Sequence, residues 1–233
     1  MIYLFDLYDT VLKDESFDFQ RGMRWLYDSC FADNCTWEAF LEHENTFYPL
    51  YEQRKLDNSE IMLMRDEVLP LFRHFGAELP EDLYEVEFQI MDRMQENTLL
   101  PEVKETLERL HGAGDPLYIL SNAVFSARSA ERYLERFGIR NYFRRVYSSA
   151  DHGVRKPGKA FFDLAVEEIL AENPGACRED VLFMGNDYGA DAAGGVMAGL
   201  NTVWYNVKHL PNTDGLPVRE IDDFRKLTED MEA

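Results

Sequence analysis

The sequence predicts an α/β fold, a doubly wound parallel sheet interrupted by a helical insert, on three observations. Short apolar runs recur along the chain: IYLF at 2–5, PLYILS at 116–121, RVYSS at 145–149, VLFMG at 181–185 and TVWYN at 202–206. Amphipathic stretches fall between the later runs, at about 125–137, 158–171 and 191–199. Buried strands alternating with such helices indicate a parallel sheet covered on both faces. The third observation is the long interval after the first run, where no convincing strand is expected from about residue 14 to 97.

In that interval the apolar residues return at helical spacing. Phe19, Met23, Leu26 and Cys30 form one stripe, and Ile61, Met64, Val68, Leu71 and Phe75 form another in which Pro70 marks a kink or break. Leu83, Val86, Ile90 and Met94 make a third. The methionines and aromatics in these stripes read as helix packing, the ordinary use of such side chains. Pro101 suits the first turn of the helix that resumes the main fold. The expected division is therefore a core of residues 1–13 and 98–233 with a helical cap at 14–97. Residues 208–215 read as a loop before a final strand and helix.

Apolar residues at 45% and aromatics at 13% are enough for a substantial core, so general disorder is excluded. A net charge of −20 argues against nucleic acid or an anionic membrane surface as the main partner, since both would be repelled. Cys30, Cys35 and Cys177 show neither disulfide nor zinc spacing and fit reduced thiols. The opening MIYLFDLYDT lacks the basic start of a secretory signal, and no stretch approaches the ~20 apolar residues that span a bilayer. The expected location is the cytoplasm.

Ligands of open parallel sheets bind beyond the carboxyl ends of the strands. Asp6 follows the first run, Ser121 and Asn122 end the second, Lys156 lies in the loop after the third, and Asn186, Asp187 and Asp191 follow the fourth. A carboxylate such as Asp6 can attack phosphorus or carbon to give a covalent intermediate. Acids packed beside it require a cation, and oxygen ligands favour Mg2+, which would also screen a substrate's negative charge. Lys156 supplies a second positive charge, while Ser121 and backbone N–H groups can hydrogen-bond an oxyanion.

Over nearly its whole length the sequence resembles the haloacid dehalogenase superfamily, whose core is Rossmann-like. The family's DxDx(T/V) appears as Asp6-Leu7-Tyr8-Asp9-Thr10, and its strand-ending Ser or Thr as Ser121 in YILSNA. The lysine motif is Lys156 in RKPGKAFF, and the acidic GDxxxxD motif is Gly185-Asn186-Asp187-Tyr188-Gly189-Ala190-Asp191. The resemblance implies Asp6 as nucleophile with Ser121 and Lys156 catalytic, and substrate contacts from Thr10 and Asn122. It also implies Mg2+ held by Asp6, the Tyr8 backbone carbonyl, and Asn186 or Asp187, with Asp191 either a ligand or a support for one. The activity implied is hydrolysis of a small phosphorylated metabolite.

Two positions depart from the family pattern. Phosphatases of this superfamily carry an acid/base Asp two residues after the nucleophile, where this chain has Tyr8. Asp9 stands one residue further on, and on an extended chain that shift reverses the side it faces. Asn186 stands where a direct metal carboxylate is usual. Tyr8 is similar to the corresponding residue of the 2-haloacid dehalogenases, which need neither acid nor metal, and SNA is similar to their SNG. Their arginine-bearing cap motif is poorly matched around Arg54, and they lack the acids at 187 and 191. Carbon–halide hydrolysis and a non-catalytic binding role stand as the alternatives to a phosphatase.

Overall fold

The computed structural model describes residues 1–228. In chain order the elements are β1 (Ile2–Phe5), β2 (Lys13–Phe17), α1 (Phe19–Cys30), α2 (Trp37–Glu44), α3 (Phe47–Leu56), α4 (Leu69–Phe75), α5 (Leu83–Met94), β3 (Gln95–Thr98) and α6 (Pro101–Gly112). They continue with β4 (Leu117–Ser121), α7 (Ala127–Arg136), β5 (Phe143–Ser148), α8 (Ser149–His152), α9 (Lys159–Glu172), β6 (Val181–Gly185), α10 (Gly194–Met197), β7 (Asn201–Tyr205) and β8 (Arg219–Ile221).

Six strands form a parallel sheet in the order β5-β4-β1-β6-β7-β8. The chain runs outward from β1 to β5 on one side, then returns to build β6 to β8 on the other. The carboxyl end of β1 therefore lies at the point where strand order reverses, where a crevice forms.

Alternation along β1 sets the two layers. Tyr3 and Phe5 join an apolar cluster with Leu117, Ile119 and Met184, while Ile2 and Leu4 face Phe161, Val166 and Ile169 of α9. Adjacent residues point to opposite faces of a strand, and both faces are dry, which is why these strands read as unbroken apolar runs.

The stretch between β1 and β4 is mostly helical, as the three stripes predict. Asp18 begins α1 by accepting from the Gln20 and Arg21 N–H groups, and Asp82 does the same for α5 through Tyr84 and Glu85. The two helices approach closely at Gly22, where a Cβ would lie 2.8 Å from the Ile90 carbonyl oxygen. Phe31, Phe40 and Phe72 are buried together in the middle of the cap. Pro70 falls in the first turn of α4, and the residues before it, Met64–Val68, form a wider π-helical turn.

The structure departs from expectation in this segment. β2 and β3 pair as an antiparallel ribbon, Lys13 opposite Thr98 and Phe17 opposite Gln95, so the interval expected to lack strands begins and ends with one. β2 is exposed along its whole length and β3 carries QENT, so neither presents the apolar run that marks a strand in sequence. The expected boundaries at 14 and 97 fall inside this ribbon. After β8 the expected final helix is a short 3-10 turn over Phe224–Leu227, and residues 229–233 of the expected core lie outside the described residues.

Carboxylates from the cap side reach into the core. Glu87 of α5 accepts from the Ser126 N–H at 3.1 Å and the Ser129 hydroxyl at 2.5 Å, at the start of α7. Glu60 accepts from the Ser149 hydroxyl at 2.9 Å and lies 3.3 Å from Arg155. Among the described residues no helix is long and apolar enough to cross a membrane.

Candidate active site

Four strand ends bring the predicted site residues together. Asp6 leaves β1 and is 7% exposed, and Lys156 meets it from the loop between α8 and α9, only 2% exposed. Lys156 Nζ donates to Asp6 Oδ1 at 2.6 Å and lies 2.7 Å from Asp191 Oδ1. Two carboxylates buried on one ammonium leave a net negative site. Burial pushes the Asp6 carboxyl upward, while the charge of Lys156 and hydrogen bonds from Lys156 and Thr10 oppose that rise. Burial disfavours the Lys156 cation, but the flanking carboxylates outweigh it and hold the ammonium above its ordinary range.

Thr10 sits one turn beyond Asp6, in a tight bend where the Val11 and Leu12 N–H groups both donate to the Leu7 carbonyl. Its hydroxyl donates to Asp6 Oδ2 at 3.0 Å and lies 3.3 Å from Asn186 Oδ1. The Thr10 hydroxyl therefore stands between the Asp6 carboxylate and the Asn186 amide oxygen, within reach of both acceptors. Ser121, the last residue of β4, is 1% exposed, and its hydroxyl has no hydrogen-bond partner among the described residues. A buried hydroxyl without a partner is costly unless a ligand completes it.

Asn122, expected as a substrate contact, uses its amide to hold the neighbouring loop. Both ends of its amide are engaged by the backbone of Lys156. Asp191 is equally occupied: besides Lys156, it accepts from the Asp187 N–H through Oδ2 at 3.0 Å. Its position requires Gly185, because a Cβ there would lie 2.6 Å from Asp191 Cβ. Asp187 is exposed and caps the following turn by accepting from the Ala190 N–H at 2.6 Å.

Tyr8 and Asp9 diverge. Asp9 adopts a left-handed conformation at φ 56°, and its carboxylate accepts from the Asp14 N–H at 3.1 Å. Burial holds the Tyr8 hydroxyl above its ordinary range, partly offset by a hydrogen bond with Gln95 of β3. Two hollows flank the cluster. One of about 540 Å³ runs past Thr10, Asn186 and Asp187, and one of about 260 Å³ is bounded by Tyr8, Asp14, Tyr51, Gln95, Asn122 and Val124. Asp14, Tyr51 and Gln95 were not among the expected site residues, because only the ribbon and α3 carry them there.

Among the described residues, no three His, Cys, Asp or Glu side chains gather as a metal nest. The groups at this strand end are oxygen donors, the Asp6 carboxylate and the Asn186 amide with Asp187 beside it, a set that suits a hard, water-retaining cation such as Mg2+ rather than zinc.

The model of the haloacid dehalogenase-like hydrolases matches residues 1–199. The pyrimidine 5'-nucleotidase PynA of Streptococcus pneumoniae is 26% identical over 226 residues, covering 96% of this chain and 92% of that protein. The pyrimidine 5'-nucleotidase YjjG of Escherichia coli is 39% identical over 131 residues, 56% of this chain and 55% of that protein. Among solved structures, the HAD-hydrolase YfnB of Bacillus subtilis, bound to magnesium, superposes with a TM-score of 0.59 at 24% identity, covering 100% of this chain and 98% of that one. A parallel sheet switching strand order at β1, a buried Asp–Lys–Asp cluster at that switch, and a family match through the fourth motif agree: the chain belongs to the haloacid dehalogenase-like hydrolases.

Proposed function

We propose that the protein is a Mg2+-dependent phosphomonoesterase working through an aspartyl-phosphate on Asp6, with nucleoside 5'-monophosphates as the first substrate class to test. The observation that carries this reading is the buried Asp6 carboxylate, fixed by Lys156 on one oxygen and Thr10 on the other. Two relatives are named pyrimidine 5'-nucleotidases, and the magnesium in YfnB supports the choice of ion.

In this mechanism an Asp6 oxygen attacks phosphorus, the bond to the ester oxygen breaks, and water then cleaves the acyl phosphate to regenerate Asp6. Lys156 neutralises charge on the nucleophile and the transferred group, and the Ser121 hydroxyl donates to a phosphoryl oxygen. Asp6, the Tyr8 carbonyl and Asn186 would hold Mg2+, with Asp187 through water, and the ion would screen the phosphate's charge. Asp191 acts by holding Lys156. The leaving oxygen takes its proton from Asp14, an exposed residue whose carboxyl borders the smaller hollow with Tyr8, where partial desolvation and the charge of Asp9 push it up to about 6. The core of 1–13 and 98–233 carries this chemistry, the helical cap of 14–97 covers the substrate, and the cytoplasm is the expected location.

The test is phosphate release from a panel of phosphorylated metabolites with and without Mg2+, with Asp6→Asn as control. Turnover requiring both Mg2+ and Asp6 is expected. Release equal to the Asp6→Asn background across the panel would overturn the reading. Halide release from 2-chloropropionate without metal would establish the carbon–halide alternative, which Tyr8 favours; Arg54 lines neither hollow beside the cluster.

A further inference from the structure

A third cavity, of about 220 Å³, lies in the cap and is almost wholly apolar. Phe17 and Phe19 line it from the ribbon and α1, Phe47, Tyr48 and Tyr51 from α3, and Val124 from the loop after β4. Phe17 is 61% exposed and Tyr48 64% exposed, large aromatic rings left open at the mouth of a pocket. Such rings mark a ligand surface more often than a finished core. Phe17, Tyr51 and Val124 also border the hollow that contains Tyr8 and Asn122, so the aromatic cavity adjoins the hollow on the Tyr8 side of the Asp6 cluster.

One charged group breaks this apolar lining. Glu44, the last residue of α2, is 9% exposed, and its carboxylate has no hydrogen-bond or ion-pair partner among the described residues. Nearby, Glu67 is 3% exposed with both carboxylate oxygens unpartnered, and it feels the negative charge of Glu44. The Glu44 oxygens, unlike those of Glu67, are not sealed off, so this acceptor at the cavity wall is open to a donor on whatever is bound there. Aromatic walls select a flat ring, and a lone acceptor selects an N–H on that ring's edge.

We propose that this cavity binds the base of a nucleoside 5'-monophosphate, flat against the Tyr48 and Tyr51 rings, with Glu44 accepting from a base N–H such as N3–H of uracil. The inference rests on the phosphatase reading of the Asp6 site for its account of the phosphate, but the base contact can be measured without turnover. Burial raises the Glu44 carboxyl above its ordinary range, the direction expected of a group that awaits a partner.

The experiment is calorimetric titration of the full-length Asp6→Asn protein, in Mg2+, with uridine 5'-monophosphate and its N3-methyl analogue. The unmethylated nucleotide is expected to bind about tenfold more tightly, the effect of one hydrogen bond to a charged acceptor. Adding Glu44→Leu, which keeps the volume but removes the acceptor, should bring the two affinities within about twofold. Glu44→Gln, which keeps an acceptor oxygen, should preserve the preference, and thermal unfolding reports whether each variant is folded. Equal affinities with Glu44 in place, a preference that survives Glu44→Leu, or no binding of either nucleotide would overturn the proposal. Phosphate release by the unaltered protein reads the catalytic proposal separately, so failure of one is distinguishable from failure of the other.

Discussion

Asn122 clasps the backbone of Lys156: its Nδ2 donates to the Lys156 carbonyl at 2.9 Å, and its Oδ1 accepts from the Lys156 N–H at 2.8 Å. The two residues lie on different loops, so this pair fixes the β4 end, with Ser121, against the loop that delivers the ammonium. A cation held by its own flexible stem would lose rotamer freedom in every catalytic cycle, whereas one whose backbone is already pinned is preorganised.

Asn122→Ala should therefore act mainly on kcat. Two neutral hydrogen bonds contribute about 1 kcal/mol each, so a fall of about tenfold to thirtyfold is expected, with KM changed much less. Steady-state kinetics on whichever phosphate ester the panel selects would check this. A rise in KM at constant kcat would instead return Asn122 to the direct substrate contact expected from sequence.

Glu67 offers a prediction about stability alone. Burial and the neighbouring charge of Glu44 raise its carboxyl well above the ordinary value of 4.5. A carboxyl raised in the folded state favours folding below its unfolded value, where both states are protonated. That advantage is lost as pH rises, because the unfolded chain releases the proton first. Glu67→Gln should then match the unaltered protein near pH 4 and become the more stable of the two on going to pH 8. The gap should widen by at most about 1.4 kcal/mol per pH unit until the folded group ionises. Urea unfolding at a series of pH values measures it, and parallel pH curves for the two proteins would refute the assignment.

The central sheet and the position of Asp6 at its switch point were legible in sequence because both depend on local signals. Buried parallel strands must be apolar at every position, so VLFMG over Val181–Gly185 announces itself, and the polar residue that ends each run marks the crevice. The ribbon was not legible. A solvent-exposed strand such as KDESF needs no apolar pattern, and its pairing with QENT across the whole cap is a tertiary event. Within the site, the sequence placed Asn122 and Asp191 beside the chemistry but could not show what each touches. An amide or carboxylate at a strand end looks the same whether it meets substrate, metal or a lysine backbone. The aromatic cavity escaped for a related reason: Phe19 lies on a packing stripe, and only the fold shows that Phe17, Tyr48 and Tyr51 converge with it on Glu44.

The substitution of Tyr8 for the family's acid leads to the most demanding prediction. If Asp14 protonates the leaving oxygen, it must be protonated when the ester bond breaks, so turnover of alkyl phosphates should fall on the alkaline side of about pH 6. An aryl ester with a stable leaving anion needs no such proton and should lack that limb. Asp14→Asn should accordingly lower kcat on an alkyl phosphate by about 10²-fold or more while changing p-nitrophenyl phosphate turnover little. Because Tyr8 and Asp14 line the same hollow, a carboxyl at position 8 reaches the same space from the core side. Tyr8→Asp placed in the Asp14→Asn background should restore alkyl phosphate turnover, at some loss of thermal stability from removing the half-buried ring. Equal effects of Asp14→Asn on alkyl and aryl esters, or no recovery in the double variant, would show that the proton comes from elsewhere.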